Sequence, residues 1–300
     1  MADTSKPTWE WQPYTKIIHR SSYPAIDSKN PANSAEGKVV VVTGGGTSIG
    51  RGVATSFVQA GARIVAIIGR RSDVLESTKA GLEELGSAKI LTYAVDILDE
   101  PGMNAAFEDI SRISGSGIDV VVASAGLGTK QLATAGTVAS WWKVFEVNIK
   151  GTFITFRAFA ANKSAKGTPT FISINSNAAH LGAFPEFSAY VSAKMGLAHL
   201  LPSLQVENPD LRIVSIHPGV IESEMNADAG FSFSKDNVNL PGDFALWLAS
   251  PAAAWTASKF FWSHWDVDEL SEMQEEIEKK GELTMGLKGW PRELEVEVRP

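Results

Sequence analysis

The run Lys38-Val39-Val40-Val41-Val42-Thr43, followed at once by Gly44-Gly45-Gly46-Thr47-Ser48-Ile49-Gly50, narrows the fold more than any other stretch. Consecutive β-branched residues without polar alternation describe a strand buried on both faces, as in a parallel sheet covered by helices. The glycines make a tight turn, and 51–60 has the pattern of a helix closed by Gly61. Strand, turn and helix in that order bring backbone N–H groups and a helix N-terminus to one point, which suits a pyrophosphate. The spacing Gly44, Gly46, Gly50 is not G-x-G-x-x-G, so the reading rests on the strand before the turn and the helix after it.

The alternation continues. Further strands are predicted at 62–68, 89–95, 118–123, 170–174 and 211–216, and helices at 72–85, 101–112, 137–161 and from about 188 to 204. The helix over 137–161 is expected to break near 148–151. Regular alternation of this kind predicts an α/β, doubly wound (Rossmann-like), mostly parallel sheet in a single domain over 37–268. Right-handed crossovers then bring the strand C-termini to one edge, where ligands bind. Residues 1–36 carry Pro7, Pro13, Pro24 and Pro31 and little apolar periodicity. They read as an extended arm, ordered where Trp9, Trp11 and Tyr14 meet a surface and otherwise mobile. The stretch 221–240, rich in Gly, Ser and Asn, reads as a mobile lid. A short helix at 243–249, a last strand at 259–264, and a charged helix at 269–280 leading into a tail to 300 complete the chain. No internal repeat or second domain is evident.

Composition limits the chemistry. The chain has no cysteine, which excludes disulfides, thiol nucleophiles and thiolate metal sites. A net charge of −7 and a pI near 5.4 argue against nucleic acid or an anionic membrane as the main partner. No apolar run has the length of a membrane span or a signal-peptide core, so the expectation is a soluble, cytoplasmic protein.

The second predicted strand ends Ile68-Gly69-Arg70-Arg71, with no carboxylate before Asp73. An acidic residue there would hold a ribose 2′-hydroxyl, whereas two guanidiniums suit a 2′-phosphate, so NADP(H) is favoured over NAD(H). Tyr190 and Lys194 are i and i+4 on a predicted helix, one face and about 6 Å of rise apart. Ser176 lies fourteen residues before the tyrosine. A free phenol with a pKa near 10 shuttles protons poorly at neutral pH, and a cation one turn away favours the phenolate. Alone, such a pair reads as the polar edge of an amphipathic helix.

Thr43-Gly44…Gly50, Asp96 after the third strand, Ala125-Gly126 after the fourth, Asn148, Ser176, Tyr190-x-x-x-Lys194 and Pro218-Gly219 fall together in one order. In this the chain resembles the short-chain dehydrogenase/reductase family across 38–264, and its arm and the Trp265–Leu270 segment resemble fungal members. The resemblance implies that Tyr190 is the general acid or base and that Lys194 lowers its pKa and holds the nicotinamide ribose. It implies that Ser176 bonds the substrate oxygen and that Asn148 holds a water linking Lys194 to solvent. It also implies cofactor contacts from Gly44, Gly46, Thr47, Ser48, Ile49 and Gly50, from Asp96 and Ile97 near the adenine, from Ala125, Gly126, Pro218 and Gly219, and from Val220 and Ser223 at the nicotinamide amide. Assembly as a homodimer or homotetramer through 140–161 and 188–204 is expected on the same ground.

Three departures bear on the site. Ser48 stands where the family has a glycine, Ser124 stands for the usual asparagine, and the Ser176-to-Tyr190 spacing is one residue longer than common. Asn175 or Asn177 therefore remains an alternative to Ser176 at the substrate. No metal site is expected: His217 reads as sheet-end packing and His180 as a pocket-lining residue. Trp141, Trp142, Phe145, Phe153 and Phe156 read as core or a helix interface. The expected function is NADP(H)-dependent hydride transfer between nicotinamide and a hydrophobic ketone or secondary alcohol, in a pocket formed by Ala183, Phe184, Phe187, Met225, Phe231 and Phe233. The alternatives are an epimerase, isomerase or cyclisation enzyme on the same scaffold, and a non-catalytic NADP-binding sensor.

Overall fold

A computed structural model describes residues 13–181, 184–223 and 235–287. Seven strands, β1 (Val39–Thr43), β2 (Ile64–Gly69), β3 (Lys89–Ala94), β4 (Val120–Ala123), β5 (Thr170–Ile174), β6 (Arg212–His217) and β7 (Phe260–Trp262), form one parallel sheet in the order β3-β2-β1-β4-β5-β6-β7. The chain starts in the middle, winds outward to β3, then returns across β1 to build the other half. The order reverses between β1 and β4, and that switch point opens a crevice at the strand C-termini.

The valines of β1 explain the layering. Successive side chains point to opposite faces, so Val40 and Val42 pack with Val53, Phe57, Phe244 and Phe261, while Val39 and Val41 pack with Met103, Phe107, Phe159 and Leu197. Helices α1 (Ser48–Gln59), α2 (Ser72–Glu83) and α7 (Asn239–Leu248) cover the first face. Helices α3 (Glu100–Ser114), α5 (Gly151–Asn162) and α6 (Ser188–Glu207) cover the second, with α4 (Val138–Phe145) leading into α5. The break expected near 148–151 is a π-helical turn, Glu146–Lys150, within a continuing helix. The single charged helix expected at 269–280 is two helices, α8 (Val267–Glu272) and α9 (Gln274–Lys280), parted at Met273. No helix among the described residues is long and apolar enough to cross a membrane.

The arm is more integrated than its prolines suggest. Ile26 and Ala35 are fully buried in the first core layer. Ile18 makes an antiparallel bridge to Trp265, His19 N donates to His264 O at 2.8 Å, and the Tyr14 ring lies 5.1 Å from that of Trp265. The arm is thus anchored through Tyr14, Ile18, His19, Ile26 and Ala35, whereas Trp9 and Trp11 lie outside the described residues. The lid expected over 221–240 is described only at its two ends, and Asn239 and Leu240 already belong to α7.

Candidate active site

The turn after β1 closes on itself. Gly44 takes φ +67°, and a Cβ at Gly50 would lie 2.1 Å from Gly44 O, so no side chain fits at position 50. Gly45 packs against Ile67, where a Cβ would fall 2.6 Å from Cγ2. Thr78 Oγ1 on α2 donates to Gly46 O at 2.8 Å and pins the turn from the far side. Thr47, Ser48, Ile49 and Gly50 at the α1 N-terminus line the crevice, and the N–H groups of a first helical turn suit a pyrophosphate. Ser48 adopts a left-handed conformation, φ +42°, and its hydroxyl donates to Glu222 O at 2.6 Å. Beside Ser124, the Ala125 N–H donates to Thr43 Oγ1 at 3.3 Å.

At the end of β2, Arg70 and Arg71 are exposed on the crevice rim. At the end of β3, Asp96 accepts the Leu98 N–H at 2.9 Å, and Ile97 packs so closely on Gly151 that a Cβ there would lie 2.5 Å from its Cδ1. These contacts hold 96–98 as a fixed corner.

On α6, Lys194 is buried and donates to Ile174 O, the last carbonyl of β5, at 2.9 Å. Burial pushes its pKa down to about 8. Tyr190 stands one turn earlier, with its ring centroid 5.7 Å from Lys194 Nζ. Burial raises the phenol's pKa above its ordinary value, and a hydrogen bond with the Ser176 hydroxyl acts in the opposite direction. Desolvation of the buried phenol is the larger influence, and the Lys194 ammonium donates to the strand carbonyl.

The alternatives to Ser176 separate. Asn175 is buried, donates to Ser215 Oγ at 3.1 Å and accepts the Ser176 N–H at 2.9 Å, so both ends of its amide are engaged. The Ser176 hydroxyl accepts from Ala178 N at 3.2 Å and donates to Asn177 Oδ1 at 3.3 Å. Asn175, Ser176 and Asn177 all line the crevice. Asn148, in the π turn, donates to Leu127 O at 2.7 Å and Val144 O at 2.8 Å, and its buried Oδ1 has no hydrogen-bond partner among the described residues.

The crevice has a volume of about 610 Å³, within the range of cofactor and ligand sites. Every cofactor-contact residue expected from the sequence lines it, from Gly44 through Ser223, together with Ser176, Phe184 and Phe187. Asn148 lies behind the wall. Ala183, Met225, Phe231 and Phe233 lie outside the described residues.

Of the two histidines, His180 differs from expectation and His217 packs at the sheet end as expected. His180 does not line the crevice; it accepts the Trp262 indole N–H at 2.9 Å. His217 does line it, while also packing edge-on to Trp262 at 4.7 Å, and burial holds its pKa well below the ordinary value, so it is neutral. Sequence reasoning also missed Val74, Leu75, Val95 and Val147, apolar wall residues without a spacing signal.

The family model for short chain dehydrogenase matches residues 38–231. The short chain dehydrogenase/reductase AacuD of Aspergillus aculeatus is 32% identical over 280 residues, covering 91% of this chain and 96% of that protein. Among solved structures, a 7α-hydroxysteroid dehydrogenase complexed with NADH and 7-oxo glycochenodeoxycholic acid superposes with a TM-score of 0.70 at 21% identity, covering 78% of this chain and 95% of the other. RhlG of Pseudomonas aeruginosa, an NADP active-site complex, gives 0.70 at 23%, covering 77% and 96%. These two likenesses are of fold.

Proposed function

Because the chain belongs to the short-chain dehydrogenase/reductase family, we propose that it is an NADP(H)-dependent oxidoreductase acting on a hydrophobic ketone or the matching secondary alcohol. The observation that carries this reading is that Ser176, Tyr190 and Lys194 share one crevice with a glycine turn at a helix N-terminus. The nicotinamide, when bound, supplies or accepts the hydride. The chain's own residues handle the oxygen and its proton.

In reduction, Tyr190 gives its phenolic proton to the developing alkoxide, and the Ser176 hydroxyl donates a hydrogen bond to the same oxygen. Asn177 Oδ1 holds that hydroxyl in place until a substrate oxygen displaces it. Lys194, tied to Ile174 O, keeps a cation beneath the tyrosine for the cofactor's ribose hydroxyls. The unpartnered Asn148 Oδ1 is the acceptor for a water through which Lys194 reaches solvent.

The preference for NADP(H) rests on Arg70 and Arg71 at the rim. The two fold neighbours named above carry NADH in one case and NADP in the other, so the fold accommodates either, and the side chains after β2 decide. Phe184 and Phe187 give the substrate end an apolar character.

Purified protein with NADPH and a panel of apolar ketones should oxidise the cofactor, and Tyr190→Phe should slow this by about 10²–10⁴-fold. Product formed without net cofactor consumption would redirect the reading to isomerisation. Exposed Trp142, Phe153 and Met195 on α4, α5 and α6 suit assembly into a homodimer or homotetramer, which light scattering should register as a multiple of 32.2 kDa.

A further inference from the structure

The turn Pro218-Gly219-Val220, which follows β6 and lines the crevice, is held from behind by one buried carboxylate. Asp236 Oδ2 accepts the Val220 N–H at 2.6 Å and faces His264 Nε2 at 2.9 Å, while Oδ1 accepts from the Arg20 guanidinium at 2.9 Å. The Asp236 side chain is fully buried, and Arg20 reaches it from the arm with about a third of its own side chain exposed. The turn's other backbone group is also held: Val220 O accepts from Lys235 N at 3.0 Å and Asp236 N at 3.3 Å. Asn237 N donates to Arg20 O at 2.8 Å, so arm and turn are linked through backbone as well as charge. Gly219, at φ +98°, lets this happen: a Cβ there would lie 2.8 Å from Asp236 Oδ2 and 3.2 Å from His264 Cε1.

We propose that Asp236 and Arg20 are positioning residues that set the Val220 peptide on the nicotinamide side of the crevice, making the N-terminal arm part of the active-site framework. The proposal rests on the cofactor reading given above. A buried carboxylate must be paired and hydrogen-bonded to be tolerated. Here the pairing cation comes from the arm, and the hydrogen bond returned is the one that orients the turn. Neither residue touches the crevice itself; both act through Val220. Loss of Arg20 removes that partner from a buried carboxylate that also bonds His264, and should loosen its hold on the Val220 N–H.

Arg20→Gln tests this in the full chain, because Arg20 is partly exposed and its loss spares the core. Arg20→Lys serves as the conservative control, and Asp236→Asn as a second variant. Hydrogen exchange of the cofactor-free protein should quicken at least fivefold in the peptide carrying Val220. The dissociation constant for NADPH, read by nicotinamide fluorescence, should rise about five- to tenfold, with Arg20→Lys recovering most of it. Unchanged exchange at Val220, or faster exchange with unchanged NADPH affinity, would overturn the positioning role. Tighter NADPH binding would overturn it too, since Asp236 would then be competing for the Val220 N–H. If the wild type bound neither NADPH nor NADH, the cofactor reading would fall and this proposal with it, an outcome distinct from wild-type binding that the variants leave unaltered.

Discussion

Lys194 Nζ donates its hydrogen bond to Ile174 O at 2.9 Å and stands 5.7 Å from the centre of the Tyr190 ring. The lysine thus ties α6 to the end of β5 and fixes where the tyrosine stands. It does not overcome the desolvation of the phenol, whose pKa is raised. The raised pKa leaves the phenol its proton at neutral pH, which suits the general-acid role proposed for Tyr190 in reduction. Oxidation needs the phenolate, and so needs added positive charge or alkaline pH.

Alcohol oxidation should therefore accelerate as pH rises through the phenol's pKa, while ketone reduction at neutral pH stays insensitive. The Ser176 hydrogen bond lowers that pKa, so Ser176→Ala should move the alkaline limb of the oxidation profile to higher pH. It should also cost about 10²–10³-fold in rate, as for a lost oxyanion donor. A kcat/KM profile against pH checks this, and a limb that does not move would remove Ser176 from the phenol's environment.

Lys194→Met should abolish activity yet stabilise the cofactor-free protein at neutral pH. An unfolded lysine keeps its proton to about 10.5, whereas Lys194 in the fold gives it up near 8. The folded pKa is depressed, so the penalty is full below pH 8 and fades as pH climbs toward 10.5. Its size is about 3 kcal/mol, less about 1 kcal/mol for the lost bond to Ile174 O. Thermal melts of both proteins at pH 7 and pH 10 should show the variant's advantage shrinking with pH. A variant less stable than wild type at pH 7 would contradict it.

Replacing Arg70 and Arg71 together by Ala should weaken NADPH binding by about 10- to 100-fold, the worth of one or two charge-assisted hydrogen bonds. NADH binding should change less than about threefold on the same reasoning, because the 2′-hydroxyl makes no ionic contact. Equal losses for both cofactors in fluorescence titrations would assign the arginines to another part of the crevice.

Ser48 combines a left-handed backbone with a hydrogen bond to Glu222 O. Ser48→Ala keeps the conformational cost and loses the bond, so it should be less stable by about 1 kcal/mol. Ser48→Gly loses the bond but is relieved of about 1 kcal/mol of strain, and should melt close to wild type. An alanine variant as stable as the glycine variant would show that the tether to Glu222 contributes nothing.

Local regularities carried a large part of the architecture. The valines of β1 required burial on both faces, and the sheet supplies it through two core layers. The four-residue interval from Tyr190 to Lys194 was readable because it matches a helix turn. The π turn at Glu146–Lys150 was not, since an i→i+5 bond leaves no composition signal and the sequence suggested a break. Asn175 and Ser176 were indistinguishable on paper because adjacent residues after a strand differ only in which way they point. Ser215, on the neighbouring strand, takes Asn175.

What the sequence by itself determined was the set of chemical groups and their order, glycine turn, arginine pair and serine at the strand ends, then tyrosine and lysine on α6. These follow from burial periodicity and short-range turn chemistry, which act over a few residues. Only the tertiary structure decided how the groups are held. Arg20 meets Asp236 across 216 residues, Lys194 finds Ile174 O on a different element, and Ser48 is bound to Glu222 across 174. Such pairings depend on which surfaces the packed layers bring into contact, and a buried charge or carbonyl takes whatever partner that packing offers.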